Sequence, residues 1–94
     1  MQYVVDVRIH DREAAQPYIP GHIAYLNAYF ESGDILCFGG YDDGTGGMMI
    51  VRADSPEALE KLLAADPLKD AGCAEWFVKG FAMKRACDAL VEAK

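Results

Sequence analysis

His22 and Asp66 have the residue types for acid/base chemistry. His22 falls in the first turn of an expected helix running from Pro20 to Ser32. At about 100° per residue, Tyr25, Leu26 and Tyr29 lie close to its direction, with Ile23 and Phe30 further round. A histidine at the border of an apolar stripe, with two phenols beside it, can act as a general acid or base tuned by partial burial. It can equally be a helix-boundary residue bonded to backbone, since histidine is common at partly buried sites. Asp66 follows Leu62 by four residues and Leu59 by seven, which turns it towards the core side for as long as the helical turn persists. A carboxylate there must be paired or hydrogen-bonded. The alternative is an N-cap on the turn Pro67–Ala71, because Asp followed by Pro is a common helix start.

Other tempting features have plainer readings. The stretch Gly39-Gly40-Tyr41-Asp42-Asp43-Gly44-Thr45-Gly46-Gly47 lacks the Gly-Lys-Ser/Thr ending of a phosphate loop and joins two expected strands. It reads as a hairpin loop, and its Asp-Gly pair as a turn rather than a metal site. Cys37, Cys73 and Cys87 are widely spaced with no C-x-x-C, so neither a disulfide framework nor a zinc site is indicated. Reduced thiols in a cytoplasm are the default expectation. Trp76, Phe77 and Phe81 are read as core or interface residues rather than a base-stacking platform.

The elements that must position His22 and Asp66 follow from period and punctuation. Tyr3, Val5, Val7 and Ile9 alternate with Val4, Asp6 and Arg8, a strand. His10-Asp11-Arg12 opens a polar loop, and Pro17 and Pro20 delay regular helix. Gly33 closes the first helix. Ile35–Tyr41 and Met48–Ala53 are expected strands of a hairpin. Ser55-Pro56-Glu57 is a helix start, with Leu59, Leu62 and Leu63 as the apolar face and Pro67 ending it. Trp76–Met83 is the fourth strand, and Lys84–Lys94 is expected as a terminal helix. The order β-α-β-β-α-β is the split βαβ, ferredoxin-like arrangement of α+β proteins, with two helices on one face of a four-stranded antiparallel sheet.

Ninety-four residues are expected to form a single domain over 1–94. The other sheet face then lacks cover, and Val4, Leu36, Phe38, Met49, Val51, Phe77, Phe81 and Met83 are expected on it. A homodimer pairing sheet against sheet would bury them. The formal charge of −6 argues against a nucleic-acid partner, which needs Lys and Arg against phosphates, and against anionic lipid. No stretch has the ~20 apolar residues of a membrane span, and the N-terminus lacks the pattern of a secretory signal. A cytoplasmic location is the resulting expectation.

The chain resembles the YciI-like proteins over nearly its whole length. The matching pieces are Pro20-Gly21-His22-Ile23-Ala24-Tyr25-Leu26 and Gly33-Asp34-Ile35-Leu36 leading to Gly39. They continue with Ser55-Pro56-Glu57-Ala58, Ala65-Asp66-Pro67 with Ala71-Gly72, and Val78-Lys79-Gly80-Phe81. The resemblance implies a dimeric α+β barrel and a His–Asp active-site pair, which falls on His22 and Asp66. Two positions depart from the family pattern. Ile19 stands where an arginine is frequent, and Gly39-Gly40 where Gly-Pro is frequent. One branch of the family resembles dehydrochlorinases of chlorinated hydroxyquinols in aromatic degradation. Residues and resemblance together give the expectation of an enzyme without cofactor or metal, acting on a small aromatic substrate. His22 would be the base and Asp66 would orient it. Tyr25 and Tyr29 would hold ring oxygens, with Phe38 or Trp76 stacking on the ring. The rival expectation is a non-catalytic dimeric module that binds a metabolite or a protein.

Overall fold

The computed structural model describes residues 1–92. Strand β1 (Gln2–Ile9) turns Tyr3, Val5 and Val7 into the core. Where a loop was expected, Asp11 accepts a hydrogen bond from the Ala14 N–H and caps a single turn, α1 (Arg12–Ala15). A 3-10 turn, Gln16–Tyr18, carries Pro17 into α2 (Ile19–Glu31), which has Pro20 in its first turn. Gly33, at φ 86°, reverses the chain after α2.

Strands β2 (Ile35–Gly40) and β3 (Gly46–Arg52) form the expected hairpin, with β2 stopping just short of Tyr41. Ser55 accepts from the Ala58 N–H and starts α3 (Pro56–Ala64), which buries Leu59, Leu62 and Leu63. A short turn, α4 (Leu68–Ala71), ends at Gly72 with φ 64°. Strand β4 (Ala74–Phe81) begins and ends earlier in the chain than the expected Trp76–Met83. The expected terminal helix shrinks to one turn, α5 (Ala89–Glu92), and its last two residues lie outside the described residues. Residues 84–90 are exposed, and so short a helix is marginal without packing.

The sheet order is β2-β3-β1-β4, antiparallel throughout. This is the ferredoxin-like order, in which α2 crosses from β1 to β2 and α3 with α4 crosses from β3 to β4. The core lies between the sheet and these helices, with Val5, Ile35, Met49, Val51 and Leu68 almost wholly enclosed. No described helix is long and apolar enough to cross a membrane.

The register corrects the membership of the uncovered face. Directly paired residues share a face, and Tyr3 pairs with Val51 and Val5 with Met49. Met49 and Val51 are therefore core residues. An irregularity between Ile35 and Cys37 resets the alternation of β2, so Phe38, paired with Met49, also faces the helices. Met83 lies beyond the end of β4. The uncovered face carries Val4, Met48, Ile50, Phe77 and Phe81 among Asp6, Arg8, Arg52 and Lys79.

Candidate active site

His22 stands in the first full turn of α2, and Asp66 in the bend between α3 and α4. The two segments meet where Gly21 packs against Pro67, at a distance that would still admit a side chain. A Cβ there would lie 3.4 Å from Pro67 Cγ. The imidazole Nδ1 is 2.9 Å from Asp66 Oδ1 and 3.0 Å from Oδ2. An ionised carboxylate only accepts, so Nδ1 carries the hydrogen and donates it. The second nitrogen, Nε2, is then the basic one. The Asp66 side chain is fully enclosed, and that of His22 is 13% exposed. Asp66 Oδ1 also accepts from the Leu68 N–H at 3.0 Å. The two readings open for Asp66 therefore hold together: it caps the turn into α4 and it holds the histidine.

Beside His22 lies a cavity of about 220 Å³ between α2 and the hairpin end of the sheet. Ile19, Ile23 and Leu26 bound it from the helix, Val7, Phe38 and Met49 from the sheet, and Gly39, Gly40, Gly46 and Gly47 from the hairpin. His22 is the one titratable side chain among its lining residues. An apolar ~150 Å³ cavity holds benzene, so the space suits a single substituted ring. Among the described residues that line it, none is a lysine or arginine that could pair with an anionic group.

Of the aromatic residues singled out in the sequence, Phe38 lines this cavity, half-buried and edge-on to Phe30 at 6.1 Å. Three others lie elsewhere. Tyr25 is buried and its hydroxyl donates to the Leu62 carbonyl at 2.7 Å, so it is not free for a ring oxygen. Burial first, then the Asp66 charge and Tyr29, push its phenol well above the usual range. Tyr29 packs edge-on to Tyr25 at 5.1 Å and borders a separate depression with Asp34 and Arg52. Trp76 faces α3 and α4, with Lys69 Nζ 3.9 Å from its ring centre. The corrections for Tyr25 and Tyr29 share one cause. Helical direction placed Tyr25 and Tyr29 near His22, but α3 packs onto that side of α2 and takes the Tyr25 hydroxyl.

The cavity walls that sequence reasoning missed are the paired glycines of the hairpin. Their signal was present in the Gly39-Gly40 and Gly46-Gly47 doublets, whose composition suggests loop but which lie within β2 and β3. The loop carboxylate Asp43 is held below the usual range by the Thr45 hydroxyl and N–H. Cys73 is buried in the core and Cys87 is exposed. Among the described residues, no group of three His, Cys, Asp or Glu side chains gathers as a metal ion would require.

Comparison with known proteins agrees with this architecture. A solved structure, 5-chloro-2-hydroxyhydroquinone dehydrochlorinase (TftG) from Burkholderia phenoliruptrix AC1100 in complex with 2,5-dihydroxybenzoquinone, superimposes with a TM-score of 0.74. It is 21% identical, and the match covers 89% of this chain and 96% of that one. The likeness is one of fold. The uncharacterized protein YjpA of Bacillus subtilis (strain 168) is 31% identical over 70 residues, 74% of this chain and 82% of that protein. The family model of the YCII-related domain matches residues 1–82. With a match of that extent, the chain belongs to the family of YCII-related domains.

Proposed function

We propose that the protein is a cofactor-free enzyme acting on a small, uncharged aromatic molecule, most concretely a dehydrochlorinase of a chlorinated hydroxyquinol. One observation carries this reading: a histidine held at 2.9 Å by a buried carboxylate presents its ring to an apolar cavity of single-ring size. The fold likeness to a dehydrochlorinase bound to a dihydroxybenzoquinone supports the choice of substrate class.

In this reading His22 Nε2 takes a proton from a ring hydroxyl, and Asp66 holds the tautomer and stabilises the imidazolium. The imidazolium returns a proton to the ring carbon that bears chlorine. A second hydroxyl then loses its proton as chloride departs with the C–Cl electron pair. The ring ends as a hydroxyquinone, with hydrogen chloride as the other product. No outside oxidant is needed, because chloride takes the electron pair. Phe38 offers an aromatic wall to the ring.

The test is to incubate the purified protein with 5-chloro-2-hydroxyhydroquinone and follow chloride release together with quinone absorbance. Stoichiometric chloride and quinone above the spontaneous rate are expected. Absence of both across a panel of chlorinated hydroquinols, with a folded protein, would leave the rival reading, a non-catalytic binding module.

A further inference from the structure

Strand β2 ends in two glycines that the fold itself does not require. Their hairpin partners differ from them in this respect. A Cβ on Gly46 would lie 1.9 Å from the Val7 carbonyl oxygen, and one on Gly47 would lie 2.4 Å from that of Gly39. Those two positions exclude a side chain on backbone grounds. A Cβ on Gly39 meets nothing within 4 Å, and one on Gly40 meets only the Gly46 oxygen at 3.8 Å. Neither Gly39 nor Gly40 has positive φ. Glycine in a strand weakens it and marks places where something approaches the backbone closely.

The pleat separates the two positions. Gly40 pairs with Gly47, which pairs with Val7, and it follows Phe38 by two residues. Its absent side chain would therefore share the face of Phe38 and Val7 and enter the cavity beside His22. Gly39 pairs with Met48 and belongs to the other face.

We propose that Gly40 is the specificity-determining residue of this cavity: its missing side chain keeps the room that a single flat, uncharged ring occupies beside His22. The inference rests on reading the cavity as the substrate site. It adds that ring size is selected by the β2 backbone rather than by α2.

The experiment compares wild type, Gly40→Ala, Gly40→Leu and Gly80→Ala. Gly80 lies in β4 opposite Tyr3, has nothing within 4 Å of its Cβ, and is outside the cavity lining. Binding of hydroquinone and of phenol, both uncharged at neutral pH, is titrated by calorimetry and by amide chemical shifts, with melting temperatures in parallel. Gly40→Leu is expected to melt as wild type and to weaken both probes by on the order of tenfold or more. Gly40→Ala should fall between, and Gly80→Ala should bind as wild type.

If hydroquinone and phenol bind and Gly40→Leu expels them while no chlorinated hydroquinol releases chloride, the size-selecting role stands and the acid/base reading fails. If Gly40→Leu does not fold, Gly40→Ala decides: weaker hydroquinone binding supports the proposal, and unchanged binding overturns it. Wild-type affinity in a folded Gly40→Leu overturns it, as does failure of both probes to shift residues 38–40 in the wild type.

Discussion

Replacing Asp66 by asparagine changes few atoms but separates its two roles. In the native arrangement Oδ1 accepts from the Leu68 N–H at 3.0 Å and from His22 Nδ1 at 2.9 Å, and Oδ2 accepts from Nδ1 at 3.0 Å. The asparagine oxygen should stay with Leu68, whose backbone N–H is buried and can only donate. Leaving that group unpaired would cost about 1–3 kcal/mol. The new amide NH₂ then faces Nδ1, donor against donor. The ring relieves this by moving its hydrogen to Nε2, which ceases to be basic. Stability loses a charge-assisted bond of about 1.5–3 kcal/mol and regains a neutral one of about 0.5–1.5 kcal/mol. A net loss of about 1 kcal/mol is ~4–8 °C in melting temperature for a domain this size. Turnover loses far more, roughly 10²–10⁴-fold in kcat, the contribution of a positioned base. The assay is steady-state chloride release for Asp66→Asn, His22→Ala and the double variant, with circular dichroism to confirm folding. Residues that act as one unit are strongly non-additive, so the double variant should be little slower than His22→Ala alone. Wild-type kcat in both folded single variants would refute the dyad. A fall in melting temperature with unchanged turnover in Asp66→Asn would leave Asp66 with a structural role alone.

Tyr25→Phe removes the bond to the Leu62 carbonyl and should cost about 1–2 kcal/mol in denaturant melts. Because the folded phenol is pushed up, chiefly by burial, its stabilising contribution is complete below the ordinary tyrosine pKa of about 10 and is lost as pH rises beyond it. The variant should therefore start less stable and decline less steeply above pH ~10; an identical alkaline slope would contradict this. The protein is expected to sediment as a dimer at low micromolar concentration, because Met48, Phe77 and Phe81 stand exposed on the uncovered side of the sheet and obligate interfaces commonly exceed ~2,000 Å². A folded monomer at that concentration would remove the sheet-to-sheet pairing, and Phe77→Glu should yield one.

The sequence carried the elements further than their facing. Ser55-Pro56-Glu57 marked the start of α3, and the alternation of Tyr3, Val5 and Val7 marked β1, because these signals are local. Facing depends on register. The irregularity between Ile35 and Cys37 moves Phe38 to the helix side, and nothing local announces it in a strand apolar at both parities. Helical spacing brought Tyr25 to the same side of α2 as His22, yet whether a phenol is free depends on what packs against it. Here α3 presents the Leu62 carbonyl. The hairpin glycines carried the opposite lesson. Gly46 and Gly47 were expected in the connection before Met48, whereas β3 begins at Gly46 and leaves the turn to residues 41–45.

The two readings of Asp66 differ in what each asks of the side chain. A cap on α4 asks for an oxygen that accepts from Leu68, and asparagine or serine would supply it without burying a charge. A fully enclosed carboxylate is expensive to desolvate, and two neutral N–H donors offset that only in part. The negative charge has full effect when the imidazole beside it becomes positive. With the carboxylate fully enclosed and an apolar cavity alongside, little water competes with that attraction. The stabilisation grows as a proton reaches Nε2, the moment at which the proposed reaction requires it. The capping bond to Leu68 fits the same logic, since it fixes the carboxylate in place before any substrate arrives. Capping is then the means by which the fold orients the group that orients His22.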